Sequence, residues 1–197
     1  WSWHSRRLSV MPIQRAKIAI NQILGGTPLT SLPAGSVLQV QHRNHNPLFS
    51  TSSTSFVDIT NFSVTITPSS TSSKIFLSIH AAMSTASGHG DVRLTRSIGG
   101  ATATTTGFVG DQEVSSRTAS TFHQYTHPSF NTTWDMPVYS ITFLDSPNTT
   151  SAIVYQLQGA VPHSGTYTLY INRQTSDADA AYSARVRSSI TAMEIAG

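Results

Sequence analysis

Eight histidines are the side chains of this sequence best equipped for chemistry. Two pairs have suggestive spacing: His42 and His45 in "HRNH", and His123 and His127 in "FHQYTH". A four-residue interval sets two imidazoles on one face of a helix, where they can share a zinc ion. Thr, Phe, Tyr and Pro128 around the second pair favour strand or loop instead, and no Glu separates the two rings, so the zinc-protease pattern is missing. The expectation is no metal and no cofactor. Carboxylates are scarce, nine in all. Asp135 and Asp145 flank one strand-like run, and ten extended residues hold them about 33 Å apart, too far for paired acid–base work. "SGHGD" at 87–91 has the glycines of an anion-cradling loop without the helix or the Lys-Ser/Thr pair that would follow, and reads as a turn. No serine sits in a Gly-x-Ser-x-Gly elbow. Ser and Thr exceed a quarter of the chain, so a hydroxyl near a histidine carries no information, and the sequons at Asn61, Asn131 and Asn148 follow from composition. These residue types point away from an enzyme.

Charged residues make up 11% of the chain, under half of the roughly 25% in an average soluble domain. Hydroxyl-rich surfaces of this kind suit strands and turns. With no cysteine there is no disulfide framework and no thiolate chemistry, which fits assembly in a reducing cytoplasm. No apolar run reaches the ~18–20 residues of a membrane span, and the opening "WSWHSRRLSVMPIQ" has an Arg pair with no apolar stretch behind it, unlike a signal peptide. The charge is uneven. Residues 1–57 carry Arg6, Arg7, Arg15, Lys17 and Arg43 and no acid, for +5, and the rest sums to −2. A basic arm on a weakly acidic body suggests an acidic docking surface; five charges over 57 residues are too few for nucleic acid.

Residues 1–31 read as an arm, helical or extended, with Ile13, Ile20 and Ile23 available for apolar docking. Residues 32–197 read as one domain of short strands: 36–43, 55–60, 61–67, 74–84, 91–100, 138–145, 151–161, 167–174 and 185–197. Phe62, Val64 and Ile66 share a face, as do Ile75, Leu77 and Ile79, and Tyr139, Ile141 and Phe143; Ile190 and Ala192 oppose Met193 and Ile195. "ITPSSTSSKI" at 66–75 reads as a hairpin connection, Pro68 ending the first strand. Eight or more such strands predict an all-β antiparallel sandwich or barrel. Tyr155, Tyr167 and Tyr170 fit either its core or a subunit interface.

The stretches "LPAGSVLQVQ", "TSFVDITNFSVTITPSSTSSKIFLSI", "VYSITFLDSPNTTSAIVYQLQ" and "YTLYINR…SSITAMEIAG" together resemble a family of tailed-bacteriophage virion proteins, over residues 32–197 with a variable patch at 85–135. The resemblance implies a jelly-roll-like sandwich that forms a homotrimer. Members of that family usually stand at the end of long tail fibres, and this chain shows no fibre shaft. A knob with a basic arm is more similar to a capsid decoration, or cement, protein: made in the bacterial host cytoplasm, placed on the outer surface of the virion, and bound to the major capsid protein through Arg6, Arg7, Arg15, Lys17, Ile13, Ile20 and Ile23. The alternative is a receptor-binding fibre tip that recognises host surface polysaccharide through loops bearing His89, Asp91, Phe122, Tyr125 and Trp134.

Overall fold

A computed structural model describes residues 32–105, 107–110, 116–127, 134–163 and 166–197. The arm residues Arg6, Arg7, Arg15, Lys17, Ile13, Ile20 and Ile23 lie outside them. The described residues form ten strands: β1 (Val37–His45), β2 (Phe49–Thr51), β3 (Val57–Ile66), β4 (Lys74–Thr85), β5 (Gly88–Ile98), β6 (Phe122–Thr126), β7 (Val138–Asp145), β8 (Ile153–Ala160), β9 (Leu169–Ile171) and β10 (Ser188–Ile195). One sheet runs β1-β10-β4-β7, and the short β9 and β2 continue it from the far end of β4; the other runs β3-β8-β5-β6. With β2 and β9 set aside, the first strand pairs with the last, the second with the seventh, the third with the sixth and the fourth with the fifth, all antiparallel. That is one long hairpin rolled across two sheets, an antiparallel jelly-roll sandwich.

Alternation decides which residues fill it. Ile75, Leu77 and Ile79 of β4 and Ile190 and Ala192 of β10 point inward from one sheet; Phe62, Val64 and Ile66 of β3 and Leu157 of β8 meet them from the other, none more than 6% exposed. Each large side chain so buried stabilises the fold by about 1.5–3 kcal/mol. Tyr155 belongs to this core, while Tyr167 and Tyr170 are half-buried. Residues 55–60 and 61–67, expected as two strands, are joined in β3. Its register shifts between Asp58 and Ser63 around Asn61, whose φ is 63°. The bulge lets Ile59 and Phe62, three apart, both face inward, and Gln156 Nε2 donates to the freed carbonyls of both at 2.9 and 3.3 Å.

The hairpin expected at 66–75 does not form. β3 and β4 lie in different sheets, so the Ser/Thr tract arches across the end of the sandwich. Its hydroxyls have a specific task. Glu194, on the inner side of β10, is fully buried and accepts from Ser69 N, Ser69 Oγ and Ser73 Oγ at 2.7 Å each and from Gln39 Nε2 at 2.6 Å. Burial disfavours the carboxylate, but these donors together outweigh it and hold the pKa below its usual 4.5. The stability it contributes is therefore complete above pH 4.5 and lost as the pH falls below it. Glu194→Ala strands four donors and should cost about 2–4 kcal/mol at pH 7, with a smaller deficit at pH 3. Urea melts at the two pH values measure this; a loss under 0.5 kcal/mol at pH 7 contradicts the assigned role.

A second buried node closes the other end of β10. Asn172, with φ 67°, donates to the carbonyls of His45 and Pro47 at 2.8 and 3.1 Å and accepts from Ser188 Oγ at 2.6 Å. His45 itself is fully buried and stacked face to face on Phe62, ring centroids 4.5 Å apart, with both ring nitrogens unpartnered. It therefore points away from exposed His42, and the two cannot share a metal. Burial is the main cause lowering its pKa from 6.5; the backbone of Asn61 pulls the other way, and Arg43 adds a smaller lowering. Below pH 6.5 the unfolded chain takes up a proton that the folded chain refuses, so stability should fall as the pH drops from 7 to 5. His45→Phe should flatten that slope; an unchanged slope between pH 7 and 5 rules out His45 as its source.

Candidate ligand-binding edge

The alternation of β6 sets Phe122, Gln124 and Thr126 inward and His123 and Tyr125 outward, with His127 exposed beyond them. Phe122 is thus core, 6% exposed and packed near Tyr139 at 5.9 Å, and not the receptor-facing residue expected from its loop-like surroundings. Residues 88–91, expected as a turn, open β5. Antiparallel pairing places His89 beside Tyr125 and Asp91 beside His123 on the outer face of the sheet. Gly88, at φ +73°, has no room for a Cβ because the Tyr167 ring occupies that space. Tyr167 in turn stacks on His163 at 6.2 Å, and His163 meets His89 edge-on at 5.3 Å.

Three imidazoles therefore converge from three segments. His123 Nδ1 lies 3.0 Å from the Asp91 carboxylate, which is only 4% exposed, and its Nε2 lies 3.4 Å from His89 Nδ1. An Asp–His pair of this kind orients a general base in acyl transfer, but here the position of a nucleophile is taken by a second imidazole. Burial is the main cause holding His89 below the usual histidine pKa; His123 and His163 push in the same direction, and Asp91 opposes them. A hollow of about 460 Å³ opens beside these rings, walled by Pro162 and by Ser116, Arg117, Thr118 and Ser120. Among the described residues no group of three or more His, Asp or Glu is arranged to hold a metal ion.

Tyr125, half exposed and 4.6 Å from His89, lines a second hollow of about 810 Å³ with His127, Trp134 and Tyr139. Trp134 is 40% exposed and stands edge-on to Tyr182 at 4.8 Å. Of the five residues expected to face a receptor, His89, Asp91 and Tyr125 form one cluster, Trp134 borders it, and Phe122 is turned away. His163, Arg117 and the Tyr167 support were missed. The parity of "FHQYTH" was the available signal, since it alone aligns His123, Tyr125 and His127.

Asp145, unlike Asp91, is tied into structure. It accepts from Arg96 Nη1 at 2.6 Å and from the Tyr155 hydroxyl at 2.7 Å, bridging the two sheets. Burial and this carboxylate raise the Tyr155 pKa far above its usual value.

The outer face of the β1-β10-β4-β7 sheet is different in kind. Val40 stands opposite Met193, Met193 opposite Phe76 and Phe76 opposite Leu144, an apolar row across four strands. The next two rows are His42, Thr191, Ser78 and Thr142, then Asn44, Ser189, His80 and Ser140. No Asp, Glu, Lys or Arg stands in these three rows. Their polar groups also bond sideways: His42 Nδ1 to Thr191 Oγ1 and His80 Nδ1 to Ser140 Oγ, both at 2.8 Å. Val40 and Leu144 are 51% and 59% exposed. The opposite sheet instead shows water a charged chain, Asp58–Gln158–Arg93, with bonds of 2.7 and 2.8 Å.

Neither a protein-family model nor a curated protein matches this chain.

Proposed function

We propose that this chain is a non-enzymatic structural protein of a tailed-phage virion, a homotrimer that decorates the outside of the capsid and attaches through its basic arm. The observation that carries the reading is the three uncharged rows on the outer face of the β1-β10-β4-β7 sheet, beginning with the apolar one. A monomeric domain gains nothing from four strands that show water an apolar row while their polar groups satisfy one another. A surface covered by copies of itself does gain, because little desolvation cost opposes burial of the Val40, Met193, Phe76 and Leu144 row. Three such faces around one axis close the assembly without leaving this apolar row exposed.

The capsid assignment rests on the virion-protein resemblance and on the basic arm, residues 1–31, which carries Arg6, Arg7, Arg15 and Lys17 and no acid and suits an acidic docking surface. Light scattering on the purified full chain should give three times its 21.2 kDa mass, and a monomer at micromolar concentration counts against the reading. A second reading, a receptor-binding tip for host glycans, draws on a separate observation: the exposed Tyr125 and Trp134 beside two hollows. Aromatic rings on a polar edge suit the apolar faces of sugars.

A further inference from the structure

We propose that the hollow beside His89, His123 and His163 binds an acidic saccharide, its carboxylate, sulfate or phosphate seated among the imidazoles and its sugar ring laid against Tyr125. The inference rests on the second reading above and narrows it to a ligand class. The hollow, at about 460 Å³, suits one or two sugar units. Among the described residues its donors are His89 and His163 and the hydroxyls of Ser116, Thr118 and Ser120, while His123 is held between Asp91 and His89. Asp91, the carboxylate among the described lining residues, is nearly buried and already engaged by His123. Imidazoles that take up a proton, with no open carboxylate among the described lining residues, favour an anion over a neutral sugar. Tyr125 lies 4.6 Å from His89, close enough for one ligand to touch both.

Proton uptake should accompany binding. His89 is faced by Asp91 from its own strand, by His123 and Tyr125 from β6, and by His163 from the segment after β8. The neighbouring imidazoles and burial hold its pKa down. An anion seated there removes the reason for staying neutral and raises that pKa. Affinity should then rise as the pH falls, by up to about tenfold per pH unit for each linked proton.

Calorimetric titration of the full chain at pH 7.5 and pH 5.5 tests this with three probes: a galacturonic acid oligomer, a galactose oligomer of equal length, and sodium sulfate. The acidic oligomer should bind at least tenfold more tightly than the neutral one and tighten at the lower pH, with sulfate following the same trend more weakly. His89→Gln and His163→Gln should each lose at least tenfold and flatten the pH response. Tyr125→Ala should weaken the oligomer and spare sulfate. Melting curves of the three variants confirm folding, and His163, outside any strand, is the safer substitution. Equal, pH-independent affinity for both oligomers overturns the acidic-ligand inference and leaves the glycan reading standing. Binding of neither oligomer at either pH overturns both. Binding that vanishes with a chelator and returns with zinc overturns the inference in favour of a metal-bridged contact.

Discussion

In the trimer proposed above, Leu144→Lys combined with Val40→Lys should yield a folded monomer. Both side chains are more than half exposed in the single chain, so the substitutions should change monomer stability by no more than about 0.5 kcal/mol each. In the assembly they stand at the two ends of the apolar row, where each lysine would be covered with no carboxylate in the three neighbouring rows to pair with it. An unpaired charge buried at an interface costs about 3–5 kcal/mol, and threefold symmetry repeats that cost at every contact. Dissociation by several orders of magnitude follows, read by sedimentation at micromolar protein. Circular dichroism of the monomer should match that of the parent. A double variant that stays trimeric would place the interface on another face.

The face that carries this prediction was half legible in the sequence. The alternation of "KIFLSIHAAMS" separates Ile75, Leu77 and Ile79 from Phe76 and Ser78, and "SSITAMEI" separates Ile190 and Ala192 from Met193 and Ile195; both sets fall as the period of two requires. Period alone does not say which strands are neighbours. The row from Val40 to Leu144 exists only because β1, β10, β4 and β7 share a sheet, and those pairings join residues as far apart in the chain as Val37 and Ile195. The same gap explains the arch mistaken for a hairpin: Pro, Ser and Thr end a strand equally well whether the next strand returns beside it or crosses to the other sheet. Asn61 marks a limit of another kind, since one left-handed residue reverses parity inside a strand and makes one element look like two. At the ligand-binding edge, His89 and Asp91 were legible as polar residues near glycines. His163 was not, because its only link to them is spatial.

On the proposed decoration reading, removing residues 1–31 should abolish attachment to the capsid and leave the trimer intact. The core cluster of the described residues runs from Ile59 to Ala192, and the arm-deleted chain is expected to keep it. Each arm alone is expected to bind weakly, through Arg6, Arg7, Arg15 and Lys17 for charge and Ile13, Ile20 and Ile23 for apolar contact. Three arms on one trimer act together, because the second and third dock at high effective concentration, and this raises apparent affinity by roughly 10²–10⁴ over a single arm. The two predictions are therefore linked. The Leu144→Lys, Val40→Lys monomer keeps its arm and should still lose that factor, whereas the arm-deleted trimer should show no saturable binding to heads at all. Co-sedimentation with purified heads distinguishes the cases, and retention of the arm-deleted trimer would remove the arm from the attachment.

The most direct test of the central claim is gold labelling of intact phage particles assembled with this chain, using an antibody raised against residues 32–197 and viewed by electron microscopy. Label distributed over the head, at positions of local threefold symmetry, is the predicted result. Label confined to the tail or to protruding fibres would contradict the decoration reading and move the function to host recognition at the His89–Tyr125 edge.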